Sequence, residues 1–457
     1  MKITGIEIDE YRQFKNIKFD FTYPEGHDKA GQPLEKVCFI GQSATGKTTL
    51  LNIVWEFVSA LSNATKSHDG QPGTIAIENF ANDYNLSEVL KAISFDISVQ
   101  EDRIRFSRIE EEHLSDKDFV SKWFRSFSRD ALEQFFTTDK LCLFIKDSIS
   151  SEAAAFLTDQ NDQPNNFSDY VKTDAQVSQD KFRREMRIEF AGFQRNILLG
   201  DMQSITIWQY LLKDIEDYDY LTVKRVTDII QNTPKNKLAE KLQEWVESDP
   251  RIKLGTECLN PILSQFYLEV DDNDKGKVPI SLRTKKGVSI PGLYLSTGTR
   301  QILSTAIPLY KFKTKDTVIL FDEPERSLFP DIQRELIKYY SSLAPQAQFF
   351  YATHSPIIAS SFDPCERFVL YFDRNGDVGF HRGVAPEGDD PNDILRQDFN
   401  MKELMLEKGI EAYQYYLNLT TKIINESNIE RKMKMIAERS IIGNKYNFPQ
   451  TGTNEAN

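Results

Sequence analysis

The spacing of apolar positions changes several times along this chain, and each change marks an element. Ile3, Ile6 and Ile8, then Ile17, Phe19 and Phe21, follow the near-alternation of half-buried strands and predict two strands joined by a turn within residues 2–23. Val37 to Ile40 is a short continuous apolar run, the mark of a buried strand. Directly after it, Leu50, Leu51, Ile53, Val54 and Phe57 share one helical face, in a helix that runs to about Ser62. Residues 63–88, rich in Asn, Gly and Asp, read as loop. Ala92–Val99 and Arg103–Ile109 alternate on either side of a polar Gln100-Glu101-Asp102 turn and predict a hairpin. From residue 110 the pattern is helical and rich in aromatics over 117–127, 130–136 and 152–157, with a polar linker at 159–166. A second helical region covers 207–264. Neither region sustains heptads, so no long coiled-coil arm is expected.

Strand pattern returns at 266–270 and 278–283, around the charged turn Asp271 to Gly276. Lys275 and Leu282 stand where a Ca²⁺ loop needs oxygen ligands, so the segment reads as a hairpin turn. Beyond Pro291 the elements alternate: helix 298–310, strand 318–321, helix 331–342, strand 349–352. Residues 367–372 and 378–382 form a hairpin whose Asn375-Gly376 predicts a type I′ turn. Residues 391–442 are helical, with a long amphipathic stretch from Met401, and the polar tail 444–457 is expected to fray. The fold class is therefore α/β. The expected organisation is an N-terminal lobe at 1–109, a helical insertion at 110–265, a C-terminal lobe at 266–390, and C-terminal helices with a partner-binding role at 391–457.

Composition narrows the partners. The chain has 457 residues, enough for two to three domains, 40% hydrophobic content and a formal net charge of −13. That balance argues against a histone-like nucleic-acid binder but leaves room for a local basic groove. Lys181 to Arg187 and Arg431 to Lys434 are the basic clusters, either solvated helix faces or contacts to DNA. Cys38, Cys142, Cys258 and Cys365 are far apart, which argues against a metal or disulfide framework and for a reducing, cytoplasmic setting. The N-terminus reads as a strand and not a signal peptide, and no apolar run is long enough for a membrane span. His27, His68, His113, His354 and His381 are scattered and suggest no HNH or zinc centre.

Four segments carry candidate chemistry. Gly41-Gln42-Ser43-Ala44-Thr45-Gly46-Lys47-Thr48-Thr49 lies between the buried strand and the apolar helical face that starts at Leu50, which is the context of a phosphate-binding loop and makes these residues candidates for nucleotide binding. Its backbone N–H groups and helix N-terminus would face an anion, with Lys47 at the terminal phosphates and Thr48 on Mg²⁺. The apolar strand Val318 to Phe321 ends in Asp322-Glu323. Two carboxylates at a buried strand end are costly without a cation, so Asp322 is a candidate Mg²⁺ ligand and Glu323 a candidate for polarising the attacking water. Ser296-Thr297-Gly298 opens an apolar helix: Ser296 is a candidate N-cap and Gly298 allows close backbone approach. This would be a second anion site, and one triphosphate does not need two from one chain. Finally, Phe349 to Ala352 delivers His354 to a strand end one helix after the acids, where it could sense the γ-phosphate or orient water.

These four elements, in this order, resemble the ATP-binding-cassette ATPases, in the branch holding SMC proteins and overcoming-lysogenization-defect nucleases. The resemblance covers residues 1–62 and 266–382. It implies an ABC ATPase head with a P-loop mixed sheet, an antiparallel N-terminal sheet and helical insertions. Lys47, Thr48, Asp322, Glu323 and His354 would be the Walker A, Walker B and switch residues. Ser296, Thr297 and Gly298 would be the signature, acting on the ATP of a second copy in a sandwich homodimer. Arg12, beside Tyr11, would lie near the nucleotide, and Gln194 or Gln209 would be the glutamine loop. Thr297 and Thr299 replace the family's usual Gly and Gln, and Phe329 stands where relatives carry His. The Ser-Thr-Gly-Thr signature and Glu-Pro-Glu start, with Asn392 to Phe399 and Glu407-Lys408-Gly409, look most like the PtuA family, the ATPase subunits of Septu anti-phage systems. That implies control of a separate nuclease, favourably of HNH type, with a PARIS-type ATPase serving a Toprim effector and a stand-alone SMC-like DNA-repair ATPase as alternatives. No nuclease centre is expected in this chain.

Overall fold

A computed structural model of the chain describes residues 1–64, 88–108, 127–152, 185–200, 205–271, 278–401 and 403–448. The loop expected at 63–88, most of the helices expected at 117–127 and 152–157, the 159–166 linker, Lys181 to Arg184, the 272–276 turn and the last residues of the tail lie outside them.

The strands in chain order are β1 (Lys2–Tyr11), β2 (Phe14–Asp20), β3 (Lys36–Gly41), β4 (Ile93–Val99), β5 (Asp102–Phe106), β6 (Cys142–Ile145), β7 (Asn196–Leu199), β8 (Leu268–Val270), β9 (Leu282–Thr284), β10 (Ser289–Ile290), β11 (Val318–Asp322), β12 (Gln348–Ala352), β13 (Arg367–Phe372) and β14 (Val378–Arg382). The longer helices are α1 (Lys47–Ala64), α2 (Arg129–Thr137), α3 (Ile205–Leu211), α4 (Lys213–Asn232), α5 (Leu238–Glu247), α6 (Thr297–Lys311), α7 (Pro330–Leu343), α8 (Glu407–Asn425) and α9 (Ile429–Tyr446). Residues Met1–Pro391 form one compact unit and Asn392–Asn457 a second.

The central sheet of the first unit runs β14-β13-β3-β12-β11-β6-β7. All its neighbours are parallel except the β13–β14 hairpin at one edge. A second, antiparallel sheet runs β2-β1-β4-β5, and β10-β9-β8 is a small third one. Alternation in β1 and β2 places Ile3, Ile6, Phe19 and Phe21 inward, against β3, β12 and β13. Phe21 meets Phe350 and Phe368 with ring centroids 5.2 Å apart in each pair, and Phe19 stacks on Phe380 at 4.5 Å. Helix α1 shares this core, where Phe57 stacks on Phe95 of β4 at 3.9 Å. The other face of the central sheet carries Phe321 and Tyr351, which stack with Tyr340 of α7 in series. Both faces are covered, which is why β3, β11 and β12 read as continuous apolar runs.

One polar side chain ties the two sheets. Gln348, fully buried at the start of β12, accepts from Ile3 N at 2.7 Å and donates to Ile3 O and Leu34 O at 2.9 Å each. Those backbone groups lie on β1 and on the approach to β3, so the amide closes a seam that no ladder covers.

Three sequence expectations change. The segment 110–265 is not purely helical, because it supplies β6 and β7 to the central sheet. The β13–β14 turn is not type I′: only Gly376 has positive φ, at 86°. The Asp373 carboxylate accepts from Asn375 N at 2.8 Å and Asp377 N at 2.9 Å, holding Asn375 out of the left-handed region and leaving Gly376 to make the bend. In the second unit the expected long helix is two helices, α8 and α9, with Asn428 capping the second through Arg431 N at 3.1 Å. Replacing Gln348 with Leu strands three buried backbone groups. It should cost on the order of 2–4 kcal/mol of stability in urea unfolding, and a loss below ~1 kcal/mol would show that the seam is held by packing alone.

Candidate nucleotide site

The parallel ladder decides where the chemistry collects. Phe39 of β3 stands opposite Ala352 of β12, and Ala352 opposite Asp322 of β11. The segments that follow the three strands therefore emerge together at the carboxyl edge of the sheet, the position where ligands bind in open α/β sheets.

The loop after β3 has positive φ at Gly41 (124°), Ala44 (66°) and Gly46 (95°). A Cβ at Gly41 would lie 2.0 Å from Leu370 O of β13, and one at Gly46 would lie 2.1 Å from Gln13 Nε2, so both positions need glycine. Thr45 is buried and donates to Gln42 O at 2.8 Å, pinning the loop from inside. Gln42, Ser43, Ala44 and Thr48 are exposed. Lys47 is the first residue of α1; its ammonium donates to Gly41 O at 3.1 Å and Gln42 O at 2.9 Å. Burial lowers its pKa to about 8, against the raising influence of Glu323 and Asp322.

Thr48 donates its hydroxyl to Asp322 Oδ1 at 3.0 Å. Burial lifts the Asp322 carboxyl to about 6; the Thr48 hydrogen bond opposes this, and the charges of Asp147 and Glu323 add to it. Glu323 is left-handed at φ 47°, and its N–H donates to Ala352 O at 2.9 Å. This backbone turn ends β11 and sets the Glu323 carboxylate 3.9 Å from His354 Nε2. Burial, then the charge of Lys47, holds His354 below its ordinary pKa despite Glu323, so its ring is neutral near pH 7. A hydroxyl and a carboxylate in contact make a hard oxygen donor pair, which suits Mg²⁺. Lys47, resting on two carbonyls above exposed loop amides, can exchange those partners for phosphate oxygens.

Ser296 caps α6: its Oγ accepts from Thr299 N at 3.1 Å and shares a hydrogen bond with Thr299 Oγ1 at 2.8 Å. Ser296 and Thr297 are exposed and Gly298 is buried. A Cβ on Gly298 would come within 2.7 Å of Ser327 O, so the start of α6 packs directly on the loop that follows the acids. Arg12 sits at the β1–β2 turn with φ 52°, exposed, its guanidinium 5.3 Å from the Tyr11 ring. The neighbouring Gln13 reaches the loop at Gly46.

Gln194 precedes β7 and so lies toward the amino edge of the sheet, and Gln209 lies within α3. The position after β6, beside the acids, holds Lys146-Asp147, and Asp147 pairs with Arg326. Sequence reasoning missed Asp147 because β6 carries no alternation, and it missed Gln13 because only tertiary packing brings it to Gly46. It also missed Glu325, for which the repeated acid in Glu323-Pro324-Glu325 was the available signal. Outside the site, His27, Asp363 and Cys365 form a further group of metal-capable side chains among the described residues. His27 Nδ1 accepts from Lys29 N at 3.0 Å, which leaves the neutral ring's proton on Nε2. The Cys365 thiol is pushed up to about 12, by burial first and then by Asp363, whose carboxylate accepts from Cys365 N at 2.9 Å.

Residues 1–359 match the family model described as the AAA ATPase domain. Among solved structures, the chain is similar to the Smc head domain with an extended coiled coil bound to the C-terminal domain of ScpA, from Pyrococcus furiosus. That likeness is at 11% identity, over 83% of this chain and 96% of that one, with a TM-score of 0.37. The SMC head domain from Thermotoga maritima is similar at 10% identity, over 84% of this chain and all of that one, also with a TM-score of 0.37. Scores this low leave the fold resting on the chain's own strand order and motifs. No curated protein matches the chain.

The raised Asp322 carboxyl makes a testable statement about stability. The folded state holds this proton more tightly than the unfolded chain, so stability falls as pH rises from 3.8 to about 6, and the penalty is complete above that window. Asp322→Asn should raise unfolding stability at pH 8 by about 1–2 kcal/mol, allowing for solvent screening, and change little at pH 3. An equal gain at both pH values would show that charge burial is not the cause.

Proposed function

Because the chain belongs to the AAA ATPase domain family, we propose that it binds ATP with Mg²⁺ in the Gly41–Thr48 loop and closes as a homodimer around it. In that closed form Ser296, Thr297 and Gly298 of each copy complete the site of the other. The observation that carries this reading is the meeting of Thr48 and Asp322 across the β3–β12–β11 edge, beside Lys47, Glu323 and His354. An exposed helix N-terminus at Ser296 supports the dimer, since it is a second anion site on a chain whose first already serves a triphosphate.

Each side chain then has a task. Lys47 takes negative charge from the terminal phosphates, Thr48 and Asp322 hold the cation, and the glycines keep the backbone close. A Mg²⁺ held by Thr48 and Asp322 would supply positive charge to the phosphate oxygens. Glu323 and His354 orient the attacking water, and in phosphoryl transfer such positioning supplies most of the catalysis. Within this reading the chain is a regulatory ATPase of a Septu-like anti-phage complex, whose ATP-driven closure controls a separate HNH-type nuclease. The second compact unit is the proposed docking element. Its α8 and α9 expose Leu417, Ile424, Ile429 and Met433, and Arg431 to Lys434 offer a basic strip to DNA.

Glu323→Gln should keep ATP bound, shift the chain to a dimer in size-exclusion chromatography with ATP and Mg²⁺, and slow hydrolysis by at least about 100-fold. Wild-type turnover in this variant would remove Glu323 from the mechanism. Purification from the native operon should bring down a nuclease subunit, and a bare monomer under ATP and Mg²⁺ would sink the complex.

A further inference from the structure

The loop that leaves the acids returns to the strand that carries the histidine. Glu325 Oε1 accepts from Thr353 Oγ1 at 2.5 Å and from the His354 backbone N–H at 3.3 Å. Thr353 Oγ1 in turn accepts from Ser355 N at 2.9 Å. Ser355 Oγ donates to Gln333 Oε1 at 2.6 Å, and Gln333 Nε2 donates to Leu328 O at 2.9 Å. Leu328 N closes the circuit on Glu325 O at 2.9 Å. The ring thus runs from the loop after Glu323, through Thr353 and Ser355 on both sides of His354, to the first turn of α7, and back.

This carboxyl is set in an unfavourable place. Its Oε2 is buried with no hydrogen-bond partner among the described residues, and burial holds the group above the usual carboxylate range. Packing alone does not call for a carboxyl here. What it supplies is an acceptor for two consecutive residues, Thr353 and His354, and so a fixed backbone beneath the imidazole.

We infer that Glu325 is a positioning residue for His354: it does not touch nucleotide, and it holds the ring at its distance from Glu323. The inference rests on the proposed ATPase reading, and the experiment separates the two. With purified full-length chain, ATP and Mg²⁺, Glu325→Ala should lower kcat at least tenfold while KM for ATP stays within twofold. Glu325→Gln keeps an acceptor oxygen and should stay within threefold of wild type. In a His354→Ala background, Glu325→Ala should cost less than a further twofold, because its effect passes through that ring. Losses that multiply in the double variant, or a KM that rises in step with the fall in kcat, would overturn the inference. If Glu325→Ala does not fold, Thr353→Val, which removes the hydroxyl donor at similar shape, carries the same expectations. If wild type itself turns over no ATP, the ATPase reading fails, and hydrogen exchange at the His354 amide decides the positioning role. Exchange should then be at least tenfold faster in Glu325→Ala than in Glu325→Gln, and equal rates would refute it.

Discussion

Parallel pairing of β3, β12 and β11 sets the distances on which the site depends. In a parallel ladder, adjacent strands point the same way, so whatever follows one strand emerges beside whatever follows its neighbour. The chain uses this to bring a glycine-rich turn, an acidic pair and a histidine to one edge, although they are far apart in sequence. The register also fixes which atoms meet: Thr48 reaches Asp322 while Lys47 stays folded on its own loop. Without that register each motif would be an ordinary strand end.

Convergence carries an electrostatic cost that the local structure absorbs only in part. Asp322 sits near the charges of Asp147 and Glu323, with Lys47 and the Thr48 hydroxyl as compensation. Asp147 is itself paired with Arg326, on the loop beyond the acids. Glu323 adopts a left-handed backbone that a non-glycine residue takes at some expense, a kind of strain that gathers at functional sites. The same short loop serves three neighbours at once: Glu323 faces His354, Glu325 holds its backbone, and Ser327 lies under Gly298.

Legibility in the sequence followed the physics of each element. The strand before Gly41, the helix after Lys47, and the β11 and β12 runs were readable because a buried parallel strand followed by a helix combines an apolar run with a change of period. β6 and β7 lay hidden inside a stretch that reads as helical, since Cys142 to Ile145 is buried throughout and offers no alternation. The same lack of alternation hid Asp147, which follows β6 beside the acids. The Asn375-Gly376 turn was misread because the deciding group, the Asp373 carboxylate, acts from outside the dipeptide. Gln13 and Gln348 could not be singled out at all, because their partners lie on segments that only the fold brings near.

The place of β3 in the sheet has a consequence for synthesis. Its neighbours are β12 and β13, both from the far end of the compact unit. A nascent chain therefore exposes Phe19, Phe21 and Phe39 with their later partners, Phe350 and Phe368, still unmade. At 5–20 residues per second the wait between β3 and β13 lasts roughly 15–65 s. During that interval the glycine-rich loop has a strand behind it but no sheet around it. Synthesis of β12 and β13, rather than of the motif itself, is when the loop first gains the sheet that shapes it.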